Sequence, residues 1–312
     1  TNLGDQYAGG TQDLPGEIKV HFISASQTEP SDSNIYKIPE GFTFGDENLS
    51  GLWIGKFETA GTMSAACTDE NCTTADLLIK PSVTSLRNQT VSSFFYASRS
   101  MQNSSNANKY GFDVIGEGTM DVHMGKNTEW GIVAYLSQSK YGKYGNPSYS
   151  GADKEVAINN CSNYVTGIGG DSVSAGQSST TCTTNTYETE KGQAASTTGN
   201  IYGVYDMSGG ATEYVMGNYN NITASSGFSS FPDEKYYDLY TSTNASTGYK
   251  VGDATYETSG WYRDNAYFVN SSYPWFRRGG NYSNTTNAGV FNSSSNNGQA
   301  YTTYSARLFI KP

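Results

Sequence analysis

The side chains able to do chemistry are few and widely spaced. Four cysteines fall in two local pairs: Cys67 and Cys72 bracket a short polar loop, and Cys161 and Cys182 bracket a longer stretch rich in Gly, Ser and Thr. Close pairs in loop-like sequence point to two disulfides, Cys67–Cys72 and Cys161–Cys182, and so to an oxidising compartment, although spacing alone does not fix connectivity. Zinc is a poor alternative, because His21 and His123 are the only histidines and neither adjoins a cysteine loop. No Ser/His/Asp arrangement or Gly-rich phosphate loop stands out, so the chain reads as a non-enzyme. Arg277, Arg278 and Arg307 carry guanidinium forks suited to a ligand carboxylate or, more commonly beside a strand, to structural pairing with Asp or Glu. Sequons such as those at Asn88, Asn221 and Asn284 are expected by chance in a chain so rich in Asn, Ser and Thr.

Composition narrows the class of partner. The 312 residues are long enough to bury a real core, yet only 36% are hydrophobic and 25 are tyrosine. Tyr with Ser, Gly and Asn is the mixture of antibody paratopes, where rigid aromatic area meets adaptable polar groups. It is equally the mixture of a loop-rich extracellular domain. A net charge of −10 with no basic run excludes a nucleic-acid partner. No apolar run approaches the ~18 residues of a membrane span. The chain starts at Thr1 rather than Met, which leaves room for a preceding signal or anchor.

The elements that must position these residues are short. Residues 1–35 read as a leader or assembly segment containing one strand-like run, Glu17 to Ile23, and a second unit runs from Tyr36 to Pro312. Gly51 to Glu58 alternates as a strand does. Helices are expected over Ser85 to Met101, from Asn127 or Thr128 (either serving as N-cap) to before Gly142, and over Asp233 to Tyr240. The polar stretch 146–199 is expected to be a functional or mobile loop rather than core. The result is an irregular, loop-rich α+β domain without tandem repeats.

Four segments in this order resemble the formylglycine-generating-enzyme-like branch of the C-type lectin fold. They are 51–58, 127–136, 200–214 and the frame from Arg278-Gly279-Gly280 to Ser305-Ala306-Arg307-Leu308. The third is the most specific, against a family pattern close to N-x-Y-G-L-Y-D-M-x-G-N-V-W-E-W. Here Gly210 replaces the Asn, Thr212 the first Trp and Tyr214 the second. The resemblance implies a C-type-lectin-like fold over 36–312, with 51–58 pairing antiparallel to the C-terminal strand near 305–310. It also implies possible calcium binding, by the carboxylates of Asp206 and Glu213 and the carbonyls of Gly209 and Ala211; the alternative is that Asp206 simply holds its turn. The oxidase of this branch uses two cysteines after the Arg-Gly-Gly motif. No cysteine follows Cys182 here, so a degenerate oxidase is a remote alternative.

The same fold resembles the variable proteins made by diversity-generating retroelements, which mutate adenines and scatter Asn codons into others ending in a pyrimidine. Three blocks contain only residues this permits: Asn281, Tyr282, Ser283, Asn284, Thr285, Thr286 and Asn287; Asn292, Ser293, Ser294, Ser295, Asn296 and Asn297; and Tyr301, Thr302, Thr303 and Tyr304. Scaffold-like residues separate them, including Val290 and Phe291. The resemblance implies a displayed adhesion or receptor-recognition protein, extracellular, on a cell surface or on a phage virion. Its ligand would be a protein or glycan on a host or neighbouring cell, with Tyr282, Tyr301 and Tyr304 as exposed anchors. A filament, pilin-like or virion-decoration subunit, assembling as a homo-oligomer through 1–35, is the alternative.

Overall fold

Gly, Ser, Thr and Asn interrupt every apolar run, so the chain builds short strands and single helical turns joined by hydrogen-bonded loops. The structure, a computed structural model, describes residues 38–112 and 120–312; the expected leader 1–35 and its strand Glu17 to Ile23 lie outside the described residues. A hairpin of β1 (Thr43–Phe44) and β2 (Glu47–Asn48) precedes β3 (Trp53–Ile54), and β4 (Ala60–Met63) pairs antiparallel with β5 (Ala75–Leu78). Helix α1 (Val91–Ser100), the short α2 (Ala107–Tyr110), β6 (Asp121–Met124) and helix α3 (Asn127–Ser137) follow. Then come β7 (Thr212–Tyr219), β8 (Asp238–Tyr240), β9 (Trp275–Gly279), β10 (Gly289–Asn296), β11 (Tyr304–Ala306) and β12 (Leu308–Lys311). One sheet has the order β10-β9-β7-β11, with β8 also on β7, and another the order β3-β12-β6. The architecture is α+β and loop-rich, with few helices and several sheets. Among the described residues no helix is long and apolar enough to cross a membrane.

The expected union of 51–58 with the C-terminal strand is present. Ile54 and Trp53 face Phe309 and Ile310 in antiparallel register, and Gly55 N and Thr59 N continue the ladder to Leu308 O and Ala306 O. Both disulfides also take the expected pairing.

Three expectations about elements fail for identifiable reasons. Helix α1 starts at Val91 instead of Ser85, because Ser85 N and Leu86 N are spent on Tyr164 O and Thr59 O, and Thr90 Oγ1 then caps the helix through Ser93 N. Helix α3 is preceded by Lys126 rather than by a capping Asn127 or Thr128; Glu129 Oε2 accepts the Lys126 N–H instead. The helix expected over 233–240 is one turn, Glu234–Tyr236, followed by β8. Its Asp238 carboxylate accepts hydrogen bonds from Thr128 N and Thr128 Oγ1, so a side chain two elements away caps α3. The stretch 146–199 also departs from a mobile loop: Val156, Ala157, Ile158, Asn159, Asn160 and Cys161 are buried. Their backbone bonds run to Ala194, Val173, Ser208 and Ser178, which explains how so polar a segment can lie inside.

The core has two main parts. One gathers Phe94 and Phe95 of α1 with Met124, Met216, Trp275 and Leu308. The other packs Trp130 of α3 against Met207, Trp261, Phe276 and Phe291, with Trp130 Nε1 donating to Val290 O. Phe291, one of the scaffold-like residues between the polar blocks, is 2% exposed.

His123 is a strongly tuned group in this framework. It lies fully buried between Phe44 and Phe309, with Nε2 at 3.0 Å from Glu129 Oε1. Burial opposes its charge, but the carboxylates of Glu129 and Asp121 win and push its pKa up to about 9. A raised histidine stabilises the fold fully below its ordinary value of 6.5, and that contribution disappears as pH rises through about 9. Denaturant melts from pH 6 to 10 should show wild-type stability exceeding that of His123→Gln by on the order of 3 kcal/mol at the acidic end, the gap closing toward pH 10. A gap that widens with pH would contradict this role.

Candidate ligand-binding surface

The three polar blocks are held by different elements. Gly279 and Gly280 take φ of 81° and 69°, and a Cβ on Gly280 would lie 2.9 Å from Ala288 Cα, so this entry to the first block requires glycine. Asn281 and Asn284 then brace the loop, accepting from Ser283 N and from Asn281 N respectively. Ser283, Thr286 and Asn287 are exposed, whereas Asn281, Tyr282, Asn284 and Thr285 are half-buried. The second block lies on β10 except for Asn297, which follows it, and Ser294, Ser295, Asn296 and Asn297 are half-buried. In the third, Tyr301 and Thr302 are exposed, Thr303 is half-buried and Tyr304 enters β11.

Three of the expected display residues are therefore not displayed. Asn292 and Ser293 are 2% exposed, because β9 covers one edge of β10 while Tyr267 N and the bridge to Ala266 cover the other at Ser293. Tyr304 is 6% exposed, its ring edge-on to Tyr214 at 5.2 Å in the parallel pairing of β11 with β7. The expected exposed anchor is a core ring.

Two arginines link the blocks. Arg87 Nη1 donates to Thr302 O, its guanidinium lies 3.8 Å over the Tyr164 ring, and Tyr164 meets Tyr282 edge-on at 4.8 Å. This chain of contacts joins the first block to the third. Arg277 joins the second to the third: Nε donates to Ser294 Oγ at 3.2 Å, Nη1 donates to Tyr304 Oη, and Asn296 Nδ2 donates to the same oxygen at 3.3 Å. Burial lowers the Arg277 pKa, and only the hydroxyls of Tyr214 and Tyr301 oppose that shift. Sequence reading missed Arg87 and Tyr164, since neither stands in a polar block or a motif.

The other two arginines are structural. Fully buried Arg278 donates to Asn127 Oδ1, Asp253 O and Ala254 O, and burial brings its pKa down to about 10. Arg307 clasps Glu213 through Nε and Nη2, and also donates to Gly55 O and Tyr205 O.

The two carboxylates named in the calcium expectation both have protein partners here. Both Glu213 oxygens accept from Arg307, while Asp206 accepts from Asn159 Nδ2, Gly167 N and Glu58 N. Gly209 and Ala211 flank these carboxylates in sequence, but the positive charge in the cluster is a guanidinium. Among the described residues no group of three or more His, Cys, Asp or Glu side chains is arranged to hold a metal ion. Asp206, at φ 63°, is the residue that holds the turn. Burial raises Glu213 to about 7 despite Arg307, and it raises Glu58, whose Oε1 lacks a partner, well above the usual carboxylate range.

No family model and no curated protein matches this chain. Among solved structures it is similar to Treponema denticola variable protein 1, at 14% identity and a TM-score of 0.26 over 62% of this chain. The chain covers 48% of that protein, about half its length.

Two sets of variants separate frame from surface. Arg307→Met should cost about 3–5 kcal/mol, because it strands Glu213 in the interior. Tyr304→Ala should cost about 3–5 kcal/mol, as buried rings do, whereas Tyr301→Ala should stay within ~0.5 kcal/mol. Thermal or urea melts measure all three; equal losses at the two tyrosines would remove the distinction.

Proposed function

We propose that this chain is a displayed binding protein with a C-type-lectin-like fold, whose C-terminal segment recognises a protein or glycan on another surface. The observation that carries the reading is the linkage of the three polar blocks through Arg87–Tyr164 and Arg277–Tyr304, on strands whose buried frame ends in Arg307. Adaptable Asn, Ser and Thr side chains on a rigid scaffold are what a recognition surface needs, and exposed Tyr301 with half-buried Tyr282 supplies aromatic area at low entropic cost. Two disulfides suit an extracellular, cell-surface or virion location. We read the blocks as the mutable set of a retroelement-diversified variable protein. The exposed members Ser283, Thr286, Asn287, Tyr301 and Thr302 then vary at the least cost to the fold.

Two experiments test this. Labelled protein on glycan arrays and whole cells should give discrete ligands, whose binding the double variant Tyr301→Ala/Thr302→Ala reduces by at least about tenfold while leaving the melt unchanged. Undiminished binding by that variant would move the ligand surface elsewhere. Sequencing the 3′ end of the gene across a clonal population should place substitutions within 281–287, 292–297 and 301–304 and leave 288–291 and 305–311 constant; evenly scattered substitutions would end the diversification reading.

A further inference from the structure

Three polar groups beside the third block carry donor capacity that no protein acceptor among the described residues uses. Tyr304 Oη accepts from both Arg277 Nη1 and Asn296 Nδ2, so its own proton points away from both, and it donates to no acceptor among the described residues. Ser294 Oγ accepts from Arg277 Nε and likewise donates to none. Arg277 Nη2 has no partner among the described residues, although its guanidinium is half-buried over the Tyr304 ring at 4.8 Å. A hydroxyl on a 94%-buried tyrosine, a serine hydroxyl and a guanidinium thus present donors together, and no acceptor answers them (Tyr304 is 6% exposed).

Charge points the same way. The chain carries a net charge of −10, and its buried arginines are matched: Arg307 by Glu213, Arg99 by Asp121, and Arg278 by carbonyls near Asp253. Arg277 and Arg87, on either side of 301–304, have no carboxylate partner among the described residues. Guanidinium plus hydroxyl donors fit a planar carboxylate, which accepts through two oxygens. Tyr301, 40% exposed with its ring 4.8 Å from Tyr304, offers an aromatic face beside that point. The exposed aliphatic side chains Ile38, Leu78, Ile79 and Leu136 belong to other segments, so these blocks offer polar groups and a ring face rather than an apolar side-chain pocket. That combination favours a sugar over a peptide.

We propose that Arg277, Tyr304 and Ser294 form a carboxylate subsite for an acidic sugar, with Tyr301 against the sugar ring. The inference rests on the binding-surface reading and names the ligand chemistry of its central part. The test uses methyl glucuronide as the probe, with methyl glucoside and N-acetylglutamate as controls, on the whole chain by titration calorimetry or NMR shift mapping. The glucuronide should bind at least about tenfold more tightly than either control. Arg277→Gln should abolish that preference, and Tyr304→Phe, which keeps the core ring, should weaken glucuronide binding by about three- to tenfold. If Arg277→Gln proves unstable, the Tyr304→Phe arm still decides. Equal binding of glucuronide and glucoside, or unchanged affinity in Tyr304→Phe, overturns the carboxylate subsite. N-acetylglutamate binding as tightly as the glucuronide overturns the sugar assignment. None of these outcomes touches the array and cell experiments with Tyr301→Ala/Thr302→Ala, so failure of the subsite and failure of the binding-surface reading are told apart.

Discussion

Arg307 lies at the junction of β11 and β12 and ties four parts of the chain with one guanidinium. It clasps Glu213 on β7, and donates to Gly55 just after β3 and to Tyr205 before the Asp206 turn. Those bonds hold the β3-β12-β6 sheet to the β10-β9-β7-β11 sheet at the point where the chain passes from one to the other. Glu213 and Arg307 are 0% and 2% exposed, and an unmatched charge there is far more costly than a matched one. The surface blocks hang from this junction. Tyr304 is three residues before Arg307, Thr303 O accepts from Thr212 N, and Tyr282 N donates to Gly210 O just ahead of β7.

A chain with little aliphatic mass compensates with tyrosine. Tyr205, Tyr214, Tyr236, Tyr237 and Tyr240 are all buried, and each hydroxyl finds a partner within the fold, such as Asp253 for Tyr240 and Gln299 O for Tyr214. Burial of a phenol costs little when its hydroxyl is bonded, and the ring supplies the apolar area that Leu or Ile would supply elsewhere. Hence the high tyrosine content reflects a polar-tolerant core as much as a binding surface. Composition alone pointed to a paratope because it cannot separate the two uses.

What the sequence made legible was local pairing and chemistry with fixed partners. The two cysteine pairs, the docking of 51–58 on the C-terminal strand, and the start of α3 within a residue all depended on short-range or pattern signals. The ion pair of Glu213 was not legible, because its partner, Arg307, lies 94 residues beyond it. The helix expected over 233–240 failed because Asp238 is committed to Thr128, 110 residues away. The burial of Asn292 and Ser293 escaped notice because their composition is that of the exposed residues around them; only the strands flanking β10 distinguish them. Arg87 and Tyr164 carried no signal at all, since what makes them relevant is a ring contact and a single carbonyl across the fold.

Tyr304 shows why a surface of this kind can sit directly on a core. Its ring packs against Tyr214 and belongs to the frame, while its hydroxyl collects two donors and faces the exposed Tyr301 side. One residue thus packs its ring into the core and gathers Arg277 of β9 and Asn296 of β10 at its hydroxyl. The same division runs along β10, where Asn292 and Ser293 are buried and Ser294 to Asn296 are half-buried. Restricting such positions to Asn, Ser, Thr and Tyr keeps the small ones near one size and every one able to hydrogen-bond, so exchanging Asn, Ser and Thr at half-buried sites disturbs packing little. At Tyr304 that tolerance ends: a small residue would empty the ring's place beside Tyr214 and release Arg277 from its hydroxyl. On the proposed reading, diversity would be bounded by the frame, with freedom greatest at exposed Tyr301 and Thr302 and least where the side chain also closes the core.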